Sequence, residues 1–173
     1  MRSTIGIDVK APPELVFQLA RDVGRWERLL PHYARSRAVA RGADGTVVAD
    51  FIARRPLVAL LGFSLPVAWR ARTWSEPEAR RLRFVHVGGA TKGMDVTWRI
   101  EATATGTRVY IDHAFWSRLP GFAALVDRAF IRPIAGRTLA TFKALAEALA
   151  ETPVGTQPDG GQSDDPVPTK SRT

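Results

Sequence analysis

The chain has 173 residues, the size of one domain, and its 45% hydrophobic content is ordinary for a globular protein with a sizeable core. It contains no cysteine, which excludes disulfides and thiol chemistry and is compatible with a reducing cytoplasm. The first residues lack the apolar run of a signal peptide, and the longest apolar run, Leu57 to Leu65, is far shorter than the ~20 residues that span a bilayer. We therefore expect a cytoplasmic protein.

The net charge of +8 raises the question of nucleic-acid binding, because arginine and lysine make phosphate contacts. Twenty-one of the 25 basic residues are arginine, and they are scattered along the chain with no run longer than two. This distribution is typical of a solvated surface and does not favour nucleic acid as a partner.

The first elements are a strand and two short helices. Ser3 to Val9 alternates aliphatic and polar residues, which predicts a half-buried strand. Glu14 to Ala20 is predicted as a helix, with Glu14 in the first turn, where the helix dipole favours an anion. Asp22 is suited to cap a second short helix, which Pro31 ends.

From Tyr33 to Trp116 the hydrophobic period is two, and turn residues separate six further strands. We predict these strands at Tyr33–Arg41, Thr46–Arg54, Val67–Ser75, Arg81–Val87, Met94–Ala102 and Thr107–Trp116. Leu57 to Leu65 is predicted as an apolar connection between two of them, with two interpretations. It is either a buried crossover on the sheet edge, or an exposed lid or membrane contact at a cavity mouth.

The last apolar segment, Pro120 to Glu151, has apolar residues at steps of three and four from Phe122 to Leu149, which predicts one buried face of a long helix. Pro133 lies inside this pattern, where it removes a backbone hydrogen bond, so we expect a kink or a break near Arg132. Seven strands, two short helices and this helix predict an α+β domain over residues 1–151. Residues 152–173 hold four prolines, three glycines and few aliphatics, which predicts a disordered tail.

Alternation along the later strands assigns an inner face that is aliphatic and aromatic, with His86, His113 and Thr73 as its few polar members. A mostly apolar concavity with a small number of polar groups is what a pocket for a lipophilic molecule requires. The alternative is a filled core in which each histidine is hydrogen-bonded. The side chains that we expect to contact a ligand are Trp26, Tyr33, Trp69, Thr73, Phe84, Met94, Trp98, Phe115, Phe130 and Ile134. The three histidines lack metal-ligand spacing, so we expect no metal and no cofactor.

Three parts of the sequence together resemble the START-like superfamily, which includes polyketide aromatase/cyclases, coenzyme Q-binding carriers and Bet v 1-type proteins. They are Ile7–Phe17 with Asp22–Trp26 and Leu30–Tyr33, then Arg83–Trp98, and finally Ile134–Leu139. The second and third parts look like the polyketide cyclase/dehydrase branch. The resemblance covers residues 3–150. It implies the helix-grip fold, a seven-stranded curved antiparallel sheet around the C-terminal helix, with a deep hydrophobic cavity between them.

The resemblance also suggests a chemistry. In the aromatase/cyclases the strand that holds Trp69 resembles a Trp-x-Ser-x-Arg pattern, whose inward serine and arginine orient and enolise a poly-β-ketone. Here the matching positions are Trp69, Ala71 and Thr73. An enolate needs a donor or a cation where its charge develops, so this chain departs from that form of catalysis. We hypothesise that His86 or His113 serves as the acid or base instead.

The sequence thus supports three readings of function. The first is a protein that encloses a hydrophobic small molecule, most like a polyketide cyclase/dehydrase. The second is a non-catalytic carrier of a lipid or quinone. The third is a ribosome- or protein-binding module that uses the basic surface.

Overall fold

One antiparallel sheet carries the fold. The computed structural model describes residues 1–58, 63–89, 91–117 and 120–152, and within them seven strands pair in the order β1-β7-β6-β5-β4-β3-β2. The strands are β1 (Arg2–Val9), β2 (Tyr33–Arg41), β3 (Val47–Val58), β4 (Phe63–Glu76), β5 (Arg81–Gly89), β6 (Asp95–Thr103) and β7 (Gly106–Ala114). The helical segments are α1 (Pro13–Arg21), a 3₁₀ turn (Val23–Arg25), α2 (Trp26–Leu29), α3 (Phe122–Val126), a π-helical turn (Asp127–Ile131) and α4 (Arg132–Glu151).

The pairing follows the sequence except at one edge, where β1 pairs with β7 and places Ser3 opposite His113. The sheet is curved, and the ladder of β4 with β5 slips by one residue between Arg70 and Ala71. Such a bulge bends a strand and increases its twist. The predicted α+β helix-grip architecture is therefore confirmed.

The short helices begin where the sequence places them. Pro13 starts α1, and Glu14 lies in its first turn. The side chain of Asp22 accepts a hydrogen bond from the Gly24 N–H at 3.2 Å, so it caps the 3₁₀ turn that leads into α2.

The predicted apolar connection from Leu57 to Leu65 is wrong at both of its ends. β3 continues to Val58 and β4 begins at Phe63, and these two residues face each other across an antiparallel ladder. A proline removes only the bond of its own nitrogen, so Pro56 and Pro66 do not end their strands. Residues 59–62 and 153–173 lie outside the described residues, and the predictions of a lid and a disordered tail fall mostly on them.

We expected a kink or a break near Arg132; the C-terminal helical segment is continuous from Phe122 to Glu151, so it does not break there. A π-helical turn lies at this place instead, where the N–H of Arg132 donates to the carbonyl of Asp127, five residues back. The wider turn accommodates Pro133 without ending the helix. The buried stripe is shorter than predicted, because Leu125 and Leu149, near the two ends of the helix, are 62% and 51% exposed.

An aromatic cluster fills much of the space between sheet and helix. The ring of Trp26, from α2, lies 5.5–5.9 Å from five other rings, which are those of Tyr33, Phe51, Phe84, Trp98 and Phe142. The indole N–H of Trp26 donates to the carbonyl of Ala20 at 3.0 Å, so its polar atom is satisfied inside the core. No helix in the described ranges is long and apolar enough to cross a membrane.

Candidate functional site

A cavity of about 90 Å³ lies between the inner face of the sheet and the C-terminal helix. Both predicted histidines, His86 and His113, line it. The predicted ligand-contact residues that also line it are Trp26, Tyr33, Trp69, Phe84, Met94, Trp98, Phe130 and Ile134. Thr73 and Phe115 are buried but do not contribute to the lining. That these side chains contact a ligand stays a prediction.

Sequence reasoning missed several residues of the lining, notably Phe51, Thr91 and Thr138. Phe51 lies on β3, and its alternation with Ala49 and Ala53 was available as a signal of an inward face. Thr91 lies in a turn that sequence alone reads as an ordinary hairpin, so only the fold shows that it points inward.

Three nearly parallel rings in the lining of the cavity stack in one row. The rings of Phe51 and Trp69 are 5.3 Å apart at 12°, and those of Trp69 and His86 are 5.8 Å apart at 11°. These residues occupy inward positions on β3, β4 and β5, which are neighbouring strands, so their side chains meet in one row. Offset stacking of this kind stabilises each ring in place.

The turn after β5 fixes the orientation of His86. Gly89 and Gly93 have φ of +86° and +87°, a left-handed backbone that glycine adopts readily, and they bend the chain so that Thr91 returns to the histidine. Nδ1 of His86 and Oγ1 of Thr91 are 2.7 Å apart. Burial, followed by the nearby His113, lowers the pKa of His86 to about 3. The ring is therefore neutral at pH 7.

His113, on β7, has an unusual environment. It is 6% exposed, and its Nδ1 atom is buried without a hydrogen-bond partner in the described part of the chain. Burial lowers its pKa to about 4, although the carboxylates of Asp127 and Asp112 act in the opposite direction. Buried polar atoms are normally paired, so this nitrogen is a destabilising group in a side chain that also lines the cavity.

An ion pair between the buried carboxylate of Asp127 and the half-exposed Arg132 holds the π-helical turn against the edge of the sheet beside His113. The hydroxyl of Ser3 donates to Asp127 at 2.7 Å, and Nε of Arg132 donates to the other carboxylate oxygen at 2.8 Å. Burial raises the pKa of Asp127, but these hydrogen bonds outweigh it and hold the pKa below its ordinary value. Sequence reasoning missed this group, because Ser3 and Asp127 are 124 positions apart.

A second buried polar group joins the helix to the start of β2. Nε2 of His32 lies 3.0 Å from Oγ1 of Thr138, and this hydroxyl donates to the carbonyl of Ile134 at 2.9 Å. Since a hydroxyl has one proton, Nε2 of His32 is the donor in their bond. Burial, followed by the charge of Arg137, lowers the pKa of His32 to about 4.

The lining contains no Asp, Glu, Lys or Arg among the described residues. Within the same ranges, no group of three or more His, Cys, Asp or Glu side chains is placed to hold a metal ion. The arrangement therefore suits a neutral molecule, which the aromatic wall contacts and the two imidazoles orient.

The seven-stranded sheet, closed by one long helix over an aromatic interior, defines a helix-grip protein of the START-like class. The family described as polyketide cyclase / dehydrase and lipid transport matches residues 2–147, and the chain belongs to this family. No curated protein matches the sequence.

Several solved structures share the fold. The Zhui aromatase/cyclase from Streptomyces sp. R1128 is 18% identical, with a TM-score of 0.73 over 90% of this chain and 99% of that one. A START superfamily protein from Mycobacterium smegmatis is 17% identical, with a TM-score of 0.58 over 87% and 97% of the two chains. The di-domain ARO/CYC BexL from the BE-7585A biosynthetic pathway is 27% identical, with a TM-score of 0.67 over 88% of this chain. This chain spans 48% of BexL, about half of its length.

Proposed function

We propose that the protein binds a neutral hydrophobic small molecule between the sheet and the C-terminal helix, in a role most like that of a polyketide cyclase/dehydrase. The observation that carries the proposal is an apolar cavity whose lining includes two buried, neutral imidazoles, of which His113 has a nitrogen without a hydrogen-bond partner in the described residues. Family membership and the likeness to BexL support the same role.

The cost of leaving a buried polar atom unpaired favours a ligand with one hydrogen-bonding group. A buried polar atom without a partner costs about 1–3 kcal/mol, which a carbonyl or hydroxyl of a ligand would recover. The cavity of about 90 Å³ has room for roughly six to nine waters, at ~10–15 Å³ each, and is well below the ~300 Å³ of a small-molecule pocket, so a ligand of polyketide or lipid size must displace side chains. Phe130 and Ile131 lie on the π-helical turn, and Ile134 follows it, so this part of the wall is the part that we expect to move.

In the cyclase role, the cavity folds a reactive chain and His86 or His113 transfers protons. Both imidazoles are neutral at pH 7, so either can accept a proton from an acidic methylene or donate a hydrogen bond to a carbonyl oxygen.

A non-catalytic carrier of a lipid or quinone is the second candidate. The histidine pKa values of about 3 and 4 favour it, because an efficient general base has a pKa near the working pH. In this role the imidazoles only hydrogen-bond the ligand.

The experiment is mass spectrometry of the organic extract of the natively purified protein, repeated for two variants. We expect a co-purified hydrophobic compound whose amount falls in His113→Leu and is unchanged in Thr73→Val, because Thr73 is buried on the same face but does not line the cavity. Incubation of the protein with an open-chain precursor separates the two roles. Ring closure alone conserves mass and would appear as a new chromatographic or ultraviolet signal, the dehydration that follows would remove water, and a carrier would return the precursor unchanged. Absence of any bound compound, together with no binding of apolar dyes, would contradict the proposal.

A further inference from the structure

The two ends of the sheet differ, and the topology fixes what each end carries. The starts of β1, β2, β4 and β6 and the ends of β3, β5 and β7 lie together, because all neighbours are antiparallel. The hydrogen bond from Ser3 to Asp127 places the start of the C-terminal helix at this end. The Lys143 ammonium donates to the carbonyl of Asp8 at 2.8 Å, which places the later turns of α4 at the opposite end. We call the first of these the helix-start end.

Exposed apolar side chains concentrate at the helix-start end. Six large apolar side chains are exposed in the described residues, and four of them lie here: Leu65 at 39%, Val87 at 41%, Trp116 at 76% and Leu125 at 62%. Trp116 follows β7 directly, and Leu125 lies on α3. A tryptophan left three-quarters exposed loses most of the stabilisation that burial would give it, so its exposure indicates an interaction surface.

Charge is distributed in the same unequal way. At the helix-start end the exposed charged residues of the strand termini, turns, α2 and helix start include Arg2, Arg28, Arg54, Lys92 and Arg128, against Asp95 and Glu27. The other acid there, Asp127, is buried and paired with Arg132. The opposite end mixes both signs, with the acids Asp8, Asp44, Glu76, Glu78 and Glu101 beside Lys10, Arg41, Arg81 and Arg108. The exposed apolar end is therefore also the positively charged end.

We propose that the helix-start end docks onto an anionic membrane surface, with Trp116 and Leu125 inserted at the level of the lipid headgroups. Tryptophan is enriched at membrane interfaces, and basic residues around an apolar patch attract anionic lipid. Leu125 and Arg128 are three positions apart and both exposed, so they share the outward face of the helix start.

The same segment faces the cavity on its other side. Phe130, Ile131 and Ile134 line the cavity, and the π-helical turn joins the two surfaces. Docking through the outward face would bring the movable part of the cavity wall to the lipid, so that an apolar ligand exchanges without crossing water. The role in ligand exchange rests on the proposed function, whereas the docking to a membrane does not.

The test is flotation of the purified full-length protein with vesicles of phosphatidylcholine alone or mixed with phosphatidylglycerol. We expect binding to the mixed vesicles, weakened by salt, and a blue shift of tryptophan emission, because Trp116 is the tryptophan that is mainly exposed. Arg128→Gln should weaken binding roughly fivefold, since each basic residue near an anionic surface contributes ~1 kcal/mol. Trp116→Ala with Leu125→Ser should weaken it by at least about tenfold.

Matched controls lie at the opposite end. Leu149→Ser removes an exposed leucine from the same helix, and Arg41→Gln removes an exposed arginine from the end of β2, so both should bind vesicles like the wild type. No binding to mixed vesicles overturns the proposal, as does equal weakening by the controls. RNA that co-purifies and is lost in Arg128→Gln, with vesicle binding unchanged, overturns it in favour of a nucleic-acid surface. Ligand binding measured without vesicles is a separate readout, so failure of the cavity proposal leaves the docking result interpretable.

Discussion

Replacement of His113 by leucine should separate ligand binding from stability. In the free protein the buried Nδ1 of His113 has no partner within the described residues, so the histidine is a destabilising group there. Leucine has a similar size and no polar atom to desolvate. The variant should therefore fold more stably than the wild type and bind the ligand less tightly.

The magnitudes follow from hydrogen-bond energetics. An unpaired buried polar atom costs about 1–3 kcal/mol, so its removal should stabilise the free protein by about 1 kcal/mol after imperfect repacking. For a chain of this size, that raises the unfolding midpoint by ~2–4 °C. Loss of a hydrogen bond of about 0.5–1.5 kcal/mol should weaken ligand binding roughly 2- to 12-fold.

His86→Leu is the comparison. Nδ1 of His86 lies 2.7 Å from the Thr91 hydroxyl, so leucine at this position would remove the hydrogen-bond partner of a buried hydroxyl. The variant should be less stable than the wild type by about 1–3 kcal/mol. Two histidines of one cavity are thus expected to have stability effects of opposite sign.

The assay combines urea and thermal unfolding of ligand-free protein with titration of the extracted compound. If His113→Leu destabilises the protein as much as His86→Leu does, Nδ1 of His113 is satisfied in solution and the reasoning fails. Unchanged affinity in a well-folded His113→Leu variant would show that the ligand does not use this atom.

Three further predictions concern the frame around the cavity. Thr138→Val should cost about 1–3 kcal/mol in urea unfolding, because it removes the hydroxyl partner of Nε2 in the buried His32. Thr141→Val removes the same kind of bond to the carbonyl four residues back at an exposed site, and it should cost less than about 0.5 kcal/mol. Equal costs would contradict the buried bond. Gly89→Ala should destabilise more than Gly93→Ala, since both have positive φ but only at Gly89 would the new Cβ lie 2.5 Å from a backbone oxygen, and equal urea midpoints would refute this. Burial lowers the pKa values of His32, His86 and His113 from 6.5 to about 4, 3 and 4. Below pH 6.5 the unfolded chain therefore binds more protons than the folded chain. The free energy of unfolding should fall from there toward pH 4, by up to ~1.4 kcal/mol per pH unit from each histidine. A flat thermal midpoint between pH 7 and 5 would contradict that burial.

Local patterns in the sequence determined most of the architecture. The period of two from Tyr33 onward predicts the strands and their inner face, and the structure buries Leu82, Phe84 and His86 on that face as expected. The period of three and four predicts the helix. These predictions work because alternation and helical spacing are consequences of the geometry of a single strand or helix.

Contacts between distant residues were decided by the tertiary structure alone. The continuation of β3 and β4 past Pro56 and Pro66 depends on the pairing of two strands, and the hydrogen bond from Ser3 to Asp127 joins residues 124 positions apart. No local pattern encodes such pairs.

The candidate site also has features that the sequence predicted and features that only the tertiary structure shows. The sequence placed His86 and His113 on the inner face, because strand alternation fixes the direction of a side chain. Only the fold shows that Thr91 returns to pair with His86 while Nδ1 of His113 is left without a partner, and that Thr73 and Phe115 lie outside the cavity wall. The direction of a side chain is a local property, whereas its hydrogen-bond partner is set by whichever distant segment packs beside it.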